Sequence, residues 1–233
     1  MIRKRLTQRI MVCFAILIAF ITAFLMYGER FTNVFHSQNV SRNTVVIDAG
    51  HGGVDGGAVS CNGAFESNIN LEIALKLDDL MHILGLRTIM IRDTDRSIHT
   101  EGETIASKKV SDIRNRVQTI NTTPGALLIS IHQNSFPNRR YSGAQVFHND
   151  TESSRELAAA MQNAMREYIN PQNRRQIKRA AGVYLMDHIN CDGLLIECGF
   201  LSNEAEERLL RSIEYQNKLC CVIATVVSQY LNT

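Results

Sequence analysis

Three short runs of unbroken apolar residues, Val45-Val46-Ile47, Leu127-Leu128-Ile129 and Leu194-Leu195-Ile196, constrain this chain more than any other feature. Runs of that length with no polar alternation read as strands buried on both faces, and such strands belong to sheets covered by helices. Segments of helical period lie between and after them: Ile73, Leu77, Leu80 and Leu84; Ile113, Val117 and Ile120; Leu157, Met161, Ala164 and Tyr168; Tyr215, Leu219, Val222, Val226 and Tyr230. Gly85 stops the first helix, Thr123-Pro124-Gly125 the second and Pro171 the third. Ser202-Asn203 suits the cap of an acidic helix start at Glu204, Glu206 and Glu207. Strands are expected over residues 44–48, 86–92, 126–132, 143–147, 182–186 and 193–198, and a polar loop over 93–109 that lines a site or moves. The fold class is therefore α/β: a single domain with a six-stranded, mostly parallel or mixed sheet and roughly five helices on both faces.

Each buried run delivers a group with chemistry to its carboxyl end, where open α/β sheets keep their ligands. The first continues as Asp48-Ala49-Gly50-His51-Gly52-Gly53, and Glu66 follows at the head of the next helix. The second ends at His132-Gln133-Asn134 and the third at Glu197. Each taken alone has a structural explanation: a turn histidine for His51, a hydrogen-bonded core histidine for His132, and for Glu66 a carboxylate favoured by a helix amino terminus. Glu197 is harder to explain so, because a carboxylate in a buried strand is costly unless paired, metal-bound or protonated. Together they form a zinc hydrolase set, one Zn2+ per chain held by His51, Glu66 and His132, with three ligands leaving a position for water. Zinc would lower the pKa of that water toward about 7 and polarise an amide carbonyl. Glu197, raised by its apolar strand, would take the proton and pass it to the leaving amine. Asp48 and Asn134 are candidates for orienting the imidazoles. The basic run Arg174, Arg175, Lys178 and Arg179 offers a hold on the carboxylates of an acidic substrate, Arg179 among them. A dinucleotide reading of the glycine-rich loop fails, since Asp55 replaces the third glycine and no P-loop lysine is present.

The amino terminus is of another kind. Arg3, Lys4, Arg5 and Arg9 precede an uncharged apolar run from Ile10 to Tyr27, long enough to span a hydrocarbon core. Residues 1–30 read as a transmembrane signal anchor with the basic end inside, 31–43 as a linker and 44–233 as the catalytic domain, extracytoplasmic and membrane-anchored or exported. Six of the 25 Lys and Arg and one of the 23 Asp and Glu fall in residues 1–42, which leaves 19 and 22 beyond. That near-neutral balance gives no electrostatic footprint for nucleic acid. The six cysteines form no C-x-x-C pair and read as free thiols.

At these segments the sequence resembles the zinc-dependent N-acetylmuramoyl-L-alanine amidases of the bacterial cell wall. The resemblance rests on Asp48 to Gly53, Glu66 with Leu71 after it, Ser130 to Asn134, and Glu197-Cys198-Gly199-Phe200-Leu201-Ser202-Asn203, and covers about residues 44–231. It implies zinc ligation by His51, Glu66 and His132 and catalysis by Glu197. Ala49 stands where the family often has proline, and Cys198 where it often has valine or threonine; neither is a ligand. Ser142-Gly143-Ala144-Gln145 and Gly182-Val183-Tyr184-Leu185-Met186 are similar to the germination-specific branch, which strips peptides from muramic acid so that a muramic δ-lactam can form in the spore cortex. The implied partner is peptidoglycan, glycan strands with peptide stems, met from a membrane held through residues 10–27. The sequence leaves open whether an activator protein is needed. It also leaves open a silent wall- or partner-binding module and a zinc peptidase on a related fold.

Overall fold

The computed structural model describes residues 43–232. The expected anchor, and the expected linker but for Asn43, lie outside the described residues. Among the described residues no helix is long and apolar enough to cross a membrane.

The chain runs β1 (Thr44–Ala49), α1 (Glu66–Ile83), β2 (Thr88–Met90), α2 (Ile105–Thr122), β3 (Ala126–Asn134), β4 (Gln145–His148) and α3 (Glu152–Ala164). It continues with β5 (Lys178–Arg179), α4 (Tyr184–His188), β6 (Asp192–Phe200), α5 (Glu204–Leu210) and α6 (Ile213–Leu231). Six strands form one mixed sheet in the order β2-β1-β3-β6-β4-β5. The pairs β1–β2, β1–β3 and β3–β6 are parallel, β4 is antiparallel to β6, and β5 is parallel to β4. After β1 the chain visits β2 on one side and then β3 on the other, so the carboxyl end of β1 is the switch point where α/β sheets open a crevice.

Strand alternation assigns the two faces. Val45, Ile47, Leu127, Ile129, Leu194 and Ile196 point into a core filled by α1, α3 and α6. Val46, Leu128 and Leu195 point the other way, against Ile120 of α2 and Leu185 and Met186 of α4. Asp48, Ser130, His132 and Glu197 share the second parity, so the sheet presents them as one group on its α2 side.

Several expectations shift in the structure. Residues 182–186 are not a strand: Val183 caps the short helix α4, whose turn is closed by Asp187 N to Val183 O at 3.0 Å and by Gly182 N to Asp187 Oδ2 at 2.9 Å. The sixth strand is instead Lys178–Arg179, registered with Phe147 and His148. The polar loop is shorter than 93–109, because a capping box between Thr104 and Ser107 starts α2 at Ile105. Exposed Ile105 and Val110 gave that helix start no apolar period. Leu84 leaves the buried face of α1, being its C-cap residue before Gly85 at φ 76°. Tyr168 is 56% exposed, because a π turn at Met165–Ile169 adds a residue and buries Met165 in its place. The acidic start and the last helix are found in the expected order, Glu204–Leu210 and Ile213–Leu231, capped by Asn203 and Ser212.

Candidate metal centre

The loop after β1 places His51 in the left-handed region at φ 63°, a conformation that costs a non-glycine residue of order 1–3 kcal/mol. Two buried arginines hold it there through its backbone. Arg92 donates from Nε to the carbonyl of Ala49 at 2.7 Å and from Nη2 to those of Gly50 at 3.0 Å and Ser67 at 2.8 Å. Arg116 donates to the carbonyls of Ala49 at 3.1 Å and His51 at 2.7 Å. Three consecutive carbonyls are thus occupied, and the imidazole is turned toward α1. Its Nδ1 lies 2.8 Å from Asp55 Oδ2, and Asp55 is itself held by Lys109 at 2.8 Å and the Gly57 amide at 3.2 Å. A carboxylate behind the imidazole leaves Nε2 as the nitrogen free to bind a ligand.

Glu66 faces that nitrogen from the head of α1, a helix without a side-chain cap. The loop caps it instead: Glu66 N donates to Ala58 O at 2.9 Å and Ser67 N to Gly56 O at 3.1 Å, so loop and helix start form one unit. Glu66 Oε2 lies 3.3 Å from His51 Nε2 and accepts from Ala58 N at 3.0 Å. Glu66 Oε1 lies 3.0 Å from His132 Nδ1 and accepts from Gln133 N at 3.1 Å and Asn70 Nδ2 at 3.3 Å. Burial opposes the Glu66 charge, yet the two imidazoles hold its carboxyl far below the usual range. Burial likewise pulls His51 down, but Glu66 and Asp55 outweigh it and hold its pKa at about 9.

One ligand atom each from His51, Glu66 and His132 lies within 4.8 Å of the others, a spacing that one ion can satisfy. Two imidazoles and a carboxylate are the donor set that zinc accepts while keeping an open position. The loop is fitted closely to this set. A Cβ at Gly50 would stand 2.2 Å from His132 Nε2, and one at Gly57, where φ is 69°, would meet Glu66 Oε2 at 2.7 Å. Gly50→Ala is accordingly expected to displace the His132 ring and weaken metal binding by about a hundredfold or more, measured by competition with a chromophoric chelator.

Glu197 is registered directly beside His132 on the neighbouring strand. Its Oε2 is sealed from solvent and has no hydrogen-bond partner. Burial raises its pKa to about 7, with Glu66 adding to that and the two histidines opposing it. Cys198 points the opposite way into the core, where burial pushes its thiol up and away from nucleophile chemistry. A cavity of about 270 Å3 opens beside His51 and His132, walled by Lys109, Ile113, Val183 and Leu185.

The other expected residues fall elsewhere. Asp48 bonds neither imidazole; it pairs with Arg116 and accepts from Ser130 Oγ at 2.7 Å, so it acts on His51 only through the clamp. Asn134 contributes its backbone, taking the Leu201 amide at 2.8 Å where β3 and β6 slip register. Arg179 is not brought to the group: it stands opposite His148, toward the other end of β4, and pairs with Asp150 at 3.2 Å. Asp55, Asn70, Arg92 and Arg116 were not anticipated, although the i, i+4 spacing of Asp112 and Arg116 on α2 is a signal that could have been followed.

A family model described as N-acetylmuramoyl-L-alanine amidase matches residues 45–229. Over 220 residues the chain is 34% identical to the germination-specific N-acetylmuramoyl-L-alanine amidase of Bacillus subtilis (strain 168), covering 92% of each. The structure of the CwlD amidase from Clostridioides difficile, in complex with the GerS lipoprotein, matches with a TM-score of 0.78 and 36% identity over 82% of this chain and 98% of that one. An N-acetylmuramoyl-L-alanine amidase from Clostridium difficile 630 matches with a TM-score of 0.73 and 28% identity over 83% and 98%.

Proposed function

Because the chain belongs to the N-acetylmuramoyl-L-alanine amidase family and is an amidase of peptidoglycan, we propose that it works with one zinc held by His51, Glu66 and His132. Glu197 is its catalytic base, and its product is peptide-free muramic acid for δ-lactam formation in the spore cortex. The germination-specific relative supports the narrower role. The observation that carries the chemistry is the convergence of three ligand atoms within 4.8 Å with an unpartnered carboxylate oxygen on the next strand. The catalytic domain is residues 44–233. Residues 10–27 anchor it in the membrane and 31–43 tether it, so that the enzyme acts outside the cytoplasm. The CwlD–GerS complex supports a lipoprotein partner here too.

Bound zinc supplies a Lewis acid that polarises the scissile carbonyl and acidifies the attacking water. Asp55 fixes the ring orientation of His51, and Asn70 and the amides of Ala58 and Gln133 fix the Glu66 carboxylate. Glu197 then accepts the water's proton and returns it to the alanine nitrogen as the C–N bond breaks. In the metal-free protein His51 keeps its proton up to about pH 9, so zinc must displace it. Zinc binding at pH 7 is therefore expected to release a proton and to strengthen as pH rises toward 9. Calorimetry in buffers of different ionisation enthalpy measures that proton.

The decisive experiment assays zinc content and muropeptide release on the chain from Asn43 onward, beside His132→Ala. One zinc per chain and free stems beginning with L-alanine are expected, with both lost in the variant. Zinc without release would point to a missing activator or to the silent binding module. Free amino acids with the muramoyl bond intact would favour the peptidase.

A further inference from the structure

The row of side chains that begins at the metal group does not end at Glu197. Directly across β6 from Glu197, on the antiparallel strand β4, stands Gln145, on the same face and 3% exposed. Its amide nitrogen donates to Gln176 O at 2.8 Å, and its Oε1 accepts from Arg175 Nη1 at 3.1 Å. His132, Glu197, Gln145 and Arg175 therefore run in sequence across the carboxyl edge of the sheet.

Arg175 differs from the rest of the basic run. Arg179 is committed to Asp150, and Arg174 caps the Pro171 carbonyl at 2.9 Å. Arg175 is in no ion pair among the described residues. Its Nε donates to Ser142 O at 2.8 Å, and its guanidinium carbon lies 4.3 Å from the centre of the Phe200 ring and 5.7 Å from that of Tyr141. The nearby Glu206 carboxylate is occupied by the amides of Gly143 at 2.7 Å and Phe200 at 2.8 Å. A guanidinium stacked on aromatics and tied at Nε and Nη1 is fixed in orientation and keeps Nη2 for a planar anion.

We infer that Arg175 is the specificity residue for the peptide half of the substrate, binding a free carboxylate of the acidic stem beyond the scissile amide. The inference rests on the amidase reading above. The two halves of the substrate differ in charge: the glycan beyond the lactyl carbonyl is neutral, and only the stem carries carboxylates. The distance also fits. Two strand spacings of about 4.8 Å separate the backbones of His132 and Gln145, the reach of roughly two to three extended residues. On the opposite flank the 270 Å3 cavity has Val183, Leu185 and Ile113 in its wall, and its Lys109 is spent on Asp55. A stem laid toward Arg175 leaves that side to the glycan.

The test uses the zinc-loaded full chain and two probes: a γ-linked L-alanyl-D-glutamyl tripeptide with the second residue's carboxylate free, and the same peptide with that group amidated. Equilibrium binding should favour the free acid by roughly ten- to a hundredfold, the scale of a charge-assisted pair against a neutral one. In Arg175→Gln the acid should fall to the affinity of the amide while the amide is unchanged. Arg175→Lys should recover part of the preference, since it restores the charge without the fixed orientation that the bonds to Ser142 and Gln145 give the guanidinium. Equal affinity of the wild type for both probes overturns the inference and requires no variant to fold. Equal weakening of both probes in Arg175→Gln overturns it as well, because that is the signature of lost packing on Phe200 and Tyr141. Cleavage of a muramoyl peptide is scored separately. Acid preference without cleavage upholds Arg175 and counts against the amidase mechanism, and cleavage without acid preference does the reverse.

Discussion

Glu197→Gln should lose roughly 10²–10⁴-fold in kcat, the usual contribution of a general acid–base, while zinc content and fold are retained. Glutamine matches glutamate in shape, so the strand stays packed. What disappears is the ability to hold a proton between the water and the leaving nitrogen. The same change removes a buried carboxylate with an unpartnered oxygen, whose cost is shown by a pKa raised to about 7. The inactive variant should therefore unfold at a temperature equal to or above that of the wild type. A structural role for Glu197 predicts the reverse, activity kept and stability lost. Turnover kinetics beside calorimetric melting separate the two, and a variant that turned over normally would remove Glu197 from the mechanism.

Arg116→Ala is expected to be the most destabilising single change near the site. Its guanidinium is 2% exposed and engages Asp48, Asp112 at 2.6 Å, and the carbonyls of Ala49 and His51. Removing it leaves Asp48, 1% exposed, as an uncompensated buried charge, a loss of about 3–5 kcal/mol. For a domain of this size that is a fall of roughly 6–20 °C in Tm. The deficit should depend on pH in a defined sense. In the wild type burial raises Asp48, but Arg116 outweighs it and holds the carboxyl below its ordinary 3.8. The stability this contributes is present above pH 3.8 and is lost as pH falls through the lower folded value. Without Arg116 the strongest influence opposing burial is gone, leaving only His132 and the Ser130 hydroxyl against it, so Asp48 rises and protonation relieves the variant as pH falls. Denaturant unfolding at pH 7 and near pH 4 should show the gap narrowing. A constant gap would mean that Arg116 stabilises through packing alone. Zinc affinity should fall in parallel, because the His51 carbonyl loses its donor.

The strand-borne members of the candidate site stood out in the sequence because a buried strand leaves few explanations for a polar end. His132 and Glu197 follow apolar runs, and their matching parity on adjacent strands follows from period-two geometry. The clamp was not legible. Arg92 follows a three-residue edge strand, and Arg116 lies on a helix whose buried face is Ser111, Asp112, Arg116 and Ile120, a pattern that reads as solvated. Only tertiary packing makes that face an interior. The same limit turned Gly182 to Met186 into a strand: apolar Val183, Leu185 and Met186 fit either element, and the helix is chosen by bonds from Asp187. The π turn had no local mark at all, since its evidence is the exchange of Tyr168 for Met165 at the core.

The place of β6 has a consequence for when this protein becomes an enzyme. It is the last strand in the chain, yet it lies between β3 and β4. A chain complete only to residue 191 holds β1, β2 and β3 on one side of a gap and β4 and β5 on the other, with two unpaired strand edges between them. The segment that fills the gap, Asp192–Phe200, is the one that carries Glu197. Closing the sheet therefore waits on pairings far apart in sequence, which are slow to form. Glu197 comes beside His132 in the same step that removes the open edges, so on the mechanism proposed above a chain without β6 lacks its base.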